Sequence, residues 1–485
     1  MKSFCQIIFL TSFNLLLIIN SLAQSIAAGD SHSLSLCTDG TVWAWGNNGC
    51  GQLGDNTTVA KLYPVQVLGL SGITAIAAGH SHSLALKNDG TVWAWGNNSS
   101  GELGDSTTVN KLVPVQISRL TGITAISCGL DFSLAKKYDG TFWSWGANTW
   151  GKLGDNTMID RLIPIQVLGE SAIGVLNNIN SFNGGDQNTL VVKNDGTVWS
   201  CGSNTWGQLG DNTTTFEQTV VQTLDSGGVA FFSGVVDVSA GLEFSIALKN
   251  DGTVWGWGYN IDGQLGNNSI QEEWLPVQVL GNSALGFLTG VTSIFAGHDH
   301  ALTLKNDGTV WAFGWNDFGQ LGDNTVIERW TPVEVVDTIN GGFLTNITEI
   351  TSGYHHSLAL KNDGTVWGWG LNNCGQLGDS TNIQRNSPVH VMRLCNVDAV
   401  QENTNESNIS VFPNPFFAQT TFTINNQTIK NAQLCLYDLM GREFKKIGIS
   451  GSKYQLEREN LISGVYFYQI ISENKTVASG KLLVE

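Results

Sequence analysis

The stretch Asp89-Gly90-Thr91-Val92-Trp93-Ala94-Trp95-Gly96 decides the fold. It recurs from Asp39, Asp139, Asp195, Asp251, Asp307 and Asp363, with Phe142 replacing the Val and Cys201 and Phe313 replacing the second Trp. The starts lie 50, 50, 56, 56, 56 and 56 residues apart, a period that marks a ring or solenoid of units unable to bury their apolar faces alone. Just upstream, His82, Leu84 and Leu86 alternate with Ser83 and Ala85 as in a strand, and Asn88-Asp89-Gly90 supplies a turn that tolerates positive φ. From Thr91 to Trp95 both faces carry apolar groups, as in a sheet sandwiched between neighbouring sheets. Gly101-Glu102-Leu103-Gly104-Asp105 punctuates a loop, Pro114 to Ile117 reads as a third strand and Ile123 to Ile126 as a fourth. Four strands per unit predict a propeller blade, and seven units predict an all-β, seven-bladed ring. Ser25-Ile26-Ala27-Ala28-Gly29 matches a fourth strand and Pro388-Val389-His390-Val391 a third, so the two ends are expected to meet and complete one blade.

The composition agrees: among 485 residues there are 57 Gly and 17 Trp but only 8 Pro, and 13% are charged, which suits short strands and tight turns. A formal charge of −17, with no Lys/Arg-rich run, argues against nucleic acid as a partner. Residues 1–23 read as a Sec-type signal peptide: Lys2, an apolar stretch from Ile7 to Ile19, and small residues at Ser21 and Ala23, with cleavage expected after Ala23. No other stretch is long and apolar enough to span a bilayer. Seven cysteines then remain, without a C-x-x-C pair, so zinc and redox motifs are unsupported. Cys37, Cys50, Cys374 and Cys395 fall in the first and last units, which a closed ring makes neighbours, and are candidates for a disulfide latch.

The combination of G-x-x-H-S-L, D-G-x-V-W-x-W-G, G-x-N-x-x-G-Q-L-G-D and P-V-x-V resembles the regulator-of-chromosome-condensation repeat over residues 24–397. The resemblance implies a seven-bladed propeller. It leaves function open, because some relatives exchange guanine nucleotides in the nucleus and others, including a secreted inhibitor of β-lactamase, only bind proteins. After a polar linker at 398–408, residues 409–485 alternate apolar positions with glycine turns, as a small β-sandwich does. Phe412-Pro413-Asn414-Pro415-Phe416, the run from Gln433 to Arg442, Gly464 to Ile470 and Gly480 to Val484 resemble the type IX secretion sorting domain. That implies recognition by the type IX machinery and a final place outside a Gram-negative cell, released or on its outer-membrane surface.

No nucleophile elbow, H-E-x-x-H or EF-hand loop is present, and no cofactor is expected. Gly146 to Lys152 imitates a phosphate-binding loop but carries Leu153 where a Ser or Thr must reach magnesium. His32, His82, His300 and His356 share one register position, filled elsewhere by Phe132, Asn188 and Phe244, which favours packing over metal ligation. Two residues earlier, a variable slot reads Asp30, His80, Leu130, Asp186, Leu242, His298 and Tyr354, with His355 beside the last. A second slot reads Asn47, Asn97, Ala147, Ser203, Tyr259, Trp315 and Leu371. His80, His298, Tyr354 and His355 from the first slot and Tyr259, Trp315 and Leu371 from the second are candidate partner contacts. So are Phe231, Phe232, Phe287 and Leu288, in connections that units 3 to 6 lengthen by six residues; stacking of these connections with a partly exposed edge is expected. The resulting reading is a non-enzymatic module binding a protein or glycan. The alternative is an inhibitor of a secreted or periplasmic hydrolase. Exchange-factor activity fits poorly with an acidic, exported chain. A polysaccharide-active enzyme would need converging carboxylates, whereas Asp39 and Asp55 sit in turns.

Overall fold

A computed structural model describes residues 22–392, 394–395, 409–412, 414, 416–424, 429–437, 443–458, 461, 464–472 and 475–484. The targeting segment before Leu22, the linker 398–408 and the run from Asp438 to Arg442 lie outside the described residues. Asn20–Cys395 and Asn396–Glu485 form separate compact units.

The first unit is seven four-stranded antiparallel sheets. In the second blade Ile73–Ala78, His82–Lys87, Val92–Gly96 and Lys111–Gln116 pair in chain order. The central hairpin closes at Gly90, whose φ of +78° costs a glycine nothing, while Asp89 Oδ1 accepts from the backbone N–H and hydroxyl of Thr91. The same turn bond forms at Asp39, Asp139, Asp195, Asp251, Asp307 and Asp363, so these repeat aspartates are structural.

The innermost strands, from Ala23–Ala28 to Ile347–Ser352, stand side by side around a central channel, and the seventh lies against the first. The ring is closed, but not by a shared blade. Ala23–Ala28 pairs with His32–Cys37 in the first sheet, and Arg385–His390 is the outer strand of the seventh. What the repeat pattern counts as a fourth strand is the first strand of the next blade. Gly69 and Gly72, both at positive φ, carry the chain across the seam instead of back onto its own sheet.

The seams are held by one recurring arrangement. Trp95 is fully buried and its Nε1 donates to the Gln52 carbonyl of the preceding blade at 2.8 Å, where Ser83 Oγ also donates at 3.0 Å. Trp145 with Ser133 serves Glu102, Trp257 with Ser245 serves Gln208, and Trp369 with Ser357 serves Gln320. Trp45 with Ser33 serves Gln376, so the closing seam between blades seven and one is built like the others. In the fourth blade Thr189 and Cys201 are the donors to Lys152. In the sixth, Ala301 and Phe313 have none to offer and pack with Phe244 instead.

Cys37 and Cys395 are joined, with Cα atoms 5.8 Å apart, which ties the segment after the last blade to the first. Cys50 and Cys374 remain free thiols and form no part of this latch. Their loops face different neighbours: Gly51 abuts Leu112 of the second blade and Gly375 abuts Leu62 of the first.

In the second unit Ile409–Phe412, Gln419–Ile424 and Lys453–Glu457 form one sheet, and Glu443–Gly451, Ile429–Tyr437, Gly464–Ser472 and Lys475–Val484 the other. They share a core that includes Phe416, Phe422, Leu434, Leu436, Ile449, Tyr468 and Ile470. Cys435 is buried in this unit.

Reduction of the Cys37–Cys395 bond, or Cys395→Ser, is expected to lower propeller stability by about 2–4 kcal/mol, because a cross-link closing so long a loop restricts the unfolded chain. Chemical denaturation with and without reductant checks this, with Cys50→Ser as the variant that should change little.

Candidate functional site

In an antiparallel blade, the loops joining the first to the second strand and the third to the fourth leave at one end. The central turn and the crossing to the next blade lie at the other. The two variable slots therefore share a face, and backbone bonds make them one surface: Asn47 N donates to Ser31 O, Tyr259 N to Glu243 O, Trp315 N to Asp299 O and Leu371 N to His355 O. First-slot residues also bridge blades around the channel mouth, as His80 N donates to Leu130 O, Asp186 N to Gly241 O and Tyr354 N to Asp30 O.

Beneath this face lies the histidine register. His32, His82, His300 and His356 are fully buried, each with Nε2 3.0 Å from a serine hydroxyl of the next blade: Ser83, Ser133, Ser357 and Ser33. Each of those hydroxyls already donates to a loop carbonyl, so the imidazole must donate from Nε2 and leave Nδ1 bare. The glycine three residues earlier is obligatory, since a Cβ on Gly79 would lie 2.3 Å from His82 Cε1. Burial holds all four imidazoles near pKa 3, hence neutral. Among the described residues no group of three or more His, Cys, Asp or Glu is placed to hold a metal ion. Lys152 is likewise occupied: Nζ donates to Asp186 O at 3.0 Å and lies 5.1 Å from the Phe132 ring centre.

At the mouth itself, blades six and seven build a continuous aromatic arc. Tyr354 stacks on His298 at 3.5 Å between ring centres, and His355 packs against Tyr354 at 4.2 Å, Trp315 at 4.6 Å and Phe318 at 4.9 Å. Asp30, His80, Asp186, His298 and Tyr354 line one cavity with the glycines of the channel rim. His298 is clamped between two carboxylates, Nδ1 on Asp299 and Nε2 3.6 Å from Asp186. His80 lies 3.5 Å from Asp30. Burial pushes Asp186 up to about 7 and Asp30 up to about 6, against the lowering pull of these imidazoles. Tyr259 stands off this arc, against Trp206 of the fourth blade at 4.9 Å, and Leu371 is half-buried beside His355.

Two features escaped the reading of the repeats. Phe318 and Trp206 belong to a third variable position, two residues beyond the invariant loop asparagine, that reads Cys50, Ser100, Trp150, Trp206, Asp262, Phe318 and Cys374. That position was there to be seen. So was Asp299, which shares the register of His355 one residue beyond the first slot, a position that reads Ser31, Ser81, Asp131, Gln187, Glu243, Asp299 and His355. The carboxylates that converge are Asp30, Asp186 and Asp299, none of them a turn aspartate of the repeat.

The lengthened connections lie on the opposite face. Each folds on itself through a single bridge, such as Leu224 to Phe231 and Leu280 to Phe287, and sends one side chain inward. Phe232 and Leu288 are core residues, 2% and 4% exposed, with Phe232 edge-on to Trp255 and Trp257, and are withdrawn as partner contacts. Phe231 and Phe287 point outward, 58% and 54% exposed, and Ile173, Val229 and Leu285 stand freer still at the tips.

Residues 12–230 and 174–409 match the model of the RCC1-like domain, and residues 410–485 that of the secretion system C-terminal sorting domain. The chain is 31% identical over 209 residues to the ultraviolet-B receptor UVR8 of Arabidopsis thaliana, covering 43% of this chain and 44% of the receptor. It is 32% identical over 232 residues to the probable E3 ubiquitin-protein ligase HERC6 of Homo sapiens, covering 47% of this chain and 22% of the ligase. The chain thus spans less than half the length of these relatives. Yeast RCC1 (Prp20), solved in complex with Kap60, superposes with a TM-score of 0.60 at 19% identity over 81% of this chain and 87% of that one. Human WBSCR16 gives 0.61 at 22% identity over 72% and 94%. These two likenesses show the fold.

The neutral histidines make a pH prediction. A histidine near pKa 3 when folded and about 6.5 when unfolded leaves the unfolded chain binding the extra proton, so its contribution is complete above pH 6.5 and is lost as pH falls. The raised carboxyls Asp30, Asp186 and Glu349 act in the opposite sense, so the test compares variants. In His82→Asn, a residue the fourth blade already uses as Asn188, the stability difference between pH 7 and pH 5 should shrink by about 2 kcal/mol relative to the parent chain. Denaturant titrations of both chains at the two pH values check it.

Proposed function

Because the chain belongs to the family of RCC1-like domains and ends in a secretion-system sorting domain, we propose that it is an exported interaction module that grips a protein partner with the channel-mouth face. The observation that carries this reading is the arc of Trp315, Phe318, His355, Tyr354 and His298, half-buried rings from two blades packed on one another, of which His298 and Tyr354 line the cavity. Aromatic side chains fixed by their neighbours, with polar groups converging beside them, are the usual anchor of a binding site, and here they cost little ordering on association. Trp206 with Tyr259 extends the surface to a further blade. The sorting domain supports recognition by the type IX machinery and a place outside the cell.

The opposite face offers the competing surface, since Ile173, Val229 and Leu285 project from three adjacent seams. A photo-crosslinking residue placed singly at Trp315, Tyr354 and Phe287 in the full chain separates the two. A defined protein adduct from positions 315 and 354, absent from 287, is expected on intact cells or in their medium. An adduct confined to 287 would move the partner to the lengthened connections. Glycan capture lost in Trp315→Ala, without protein adduct, would keep the face and change the ligand class. Inhibition of a secreted hydrolase by the purified chain, relieved by the same substitution, would identify the partner as an enzyme.

A further inference from the structure

The mouth holds more carboxylates than cations. Asp30, Asp186 and Asp299 share it with two imidazoles, His80 and His298, and Lys152 is turned toward backbone. Burial, with the Asp299 carboxylate adding to it, raises Glu243 and Asp262 as well, so this end of the channel gathers carboxyl groups that a cation would stabilise in their charged form. The aromatic arc next to these groups presents ring faces, which attract cations through their quadrupoles.

A second observation is independent of the acids. Gln264 and Gln320 are fully buried and their Nε2 groups have no hydrogen-bond partner. In the fourth blade the equivalent Gln208 donates from Nε2 to Ser203 Oγ, so this amide faces the second variable slot. In the fifth and sixth blades that slot holds Tyr259 and Trp315, which offer no acceptor at the position of the serine hydroxyl, and the donor of each glutamine is left without a partner. An unpaired buried donor costs free energy that an incoming acceptor recovers. A bare metal ion or amine has no acceptor to give, whereas a polypeptide brings carbonyl oxygens along with its side chains.

We propose that the channel mouth receives a guanidinium or ammonium side chain of a polypeptide, laid against the arc of Tyr354, His298, His355 and Trp315 and facing Asp30, Asp186 and Asp299, with a neighbouring carbonyl taken by Gln320. This rests on the reading of the channel-mouth face as the partner surface and names what that surface recognises.

Hexa-arginine and hexa-glutamine peptides titrated against the full chain at two salt concentrations test it. Hexa-arginine should bind and hexa-glutamine should not. Asp186→Asn and, separately, Trp315→Ala should each weaken the complex about tenfold, since a paired charge or a cation on a ring is worth that much when desolvated. Glu170→Gln, an exposed acid on the opposite face, should change it less than about twofold, being screened and remote. Circular dichroism and an intact Cys37–Cys395 bond establish that each variant is folded. Equal weakening by Glu170→Gln, or equal binding of the two peptides, overturns the proposal by reducing it to the attraction of any cation for an acidic chain. Hexa-arginine should also suppress the adduct formed from position 315. If that adduct persists undiminished while the peptide is bound, the face still takes a partner and its cationic anchor is refuted.

Discussion

A loop carbonyl that leaves one blade and is buried against the next has to find its donors there, and this requirement organises the ring. In six seams the donors are a hydroxyl or tryptophan N–H, with Cys201 standing in once, all delivered by the next blade's second and third strands. In four of these seams the serine that donates to the carbonyl also accepts from the preceding blade's histidine, so one hydroxyl couples two blades and fixes the imidazole's tautomer. The motif G-x-x-H-S-L thereby reads as a steric and hydrogen-bonding statement: glycine to admit the ring, histidine to donate, serine to relay, leucine to bury. The relay can be lost in part, as where Phe132 stands for the histidine while Thr189 still donates, or as a set. Phe244, Ala301 and Phe313 replace a histidine, a serine and a tryptophan around the same seam, exchanging directional bonds for apolar contact.

Period, strand count and turn chemistry were legible because each repeat states them independently: seven copies of Asp-Gly-Thr leave no freedom in where the hairpin turns, and Trp on both strand faces requires neighbours on both. The strand order within a blade was not legible. A period can be cut anywhere, and only the backbone pairing of Ile73 with Lys87 tells that the segment after the glycine crossing belongs to the next sheet. The candidate surface was half legible. Variation at fixed register exposed His298, Tyr354, His355 and Trp315, but their meeting depends on the third variable position and on how two blades incline at the axis. Phe232 and Leu288 were misassigned because an apolar pair in a short connection looks the same whether one member or both face water; the single bridge in each connection decides it.

The two faces differ in kind as well as in position. The channel mouth is rigid: its residues are linked blade to blade through the backbone, and its rings are braced by one another. The opposite face presents short fingers, each rooted by one inward side chain such as Phe232 and exposed at its tip, as Ile173, Val229 and Leu285 are. A surface of the first sort suits recognition of a defined shape, and one of the second suits accommodation. Net acidity is spread over the molecule, but Asp30, Asp186 and Asp299, withdrawn from solvent, stand together at the mouth, where the dielectric is low and each charge weighs most.

Because every blade is a continuous segment and none borrows a strand from the far terminus, the disc can be put together in the order the polypeptide emerges, each sheet docking on its predecessor without waiting for the end of the chain. Only the last contact, of blade seven on blade one, must await the whole, and it alone is fastened covalently. A molecule assembled this way has a defined final event, the oxidation of one thiol pair, and until it occurs the disc is an open arc with two sticky rims. For a protein that carries a secretion-system sorting domain, the moment of clasping separates an arc that can still be unthreaded from a finished body.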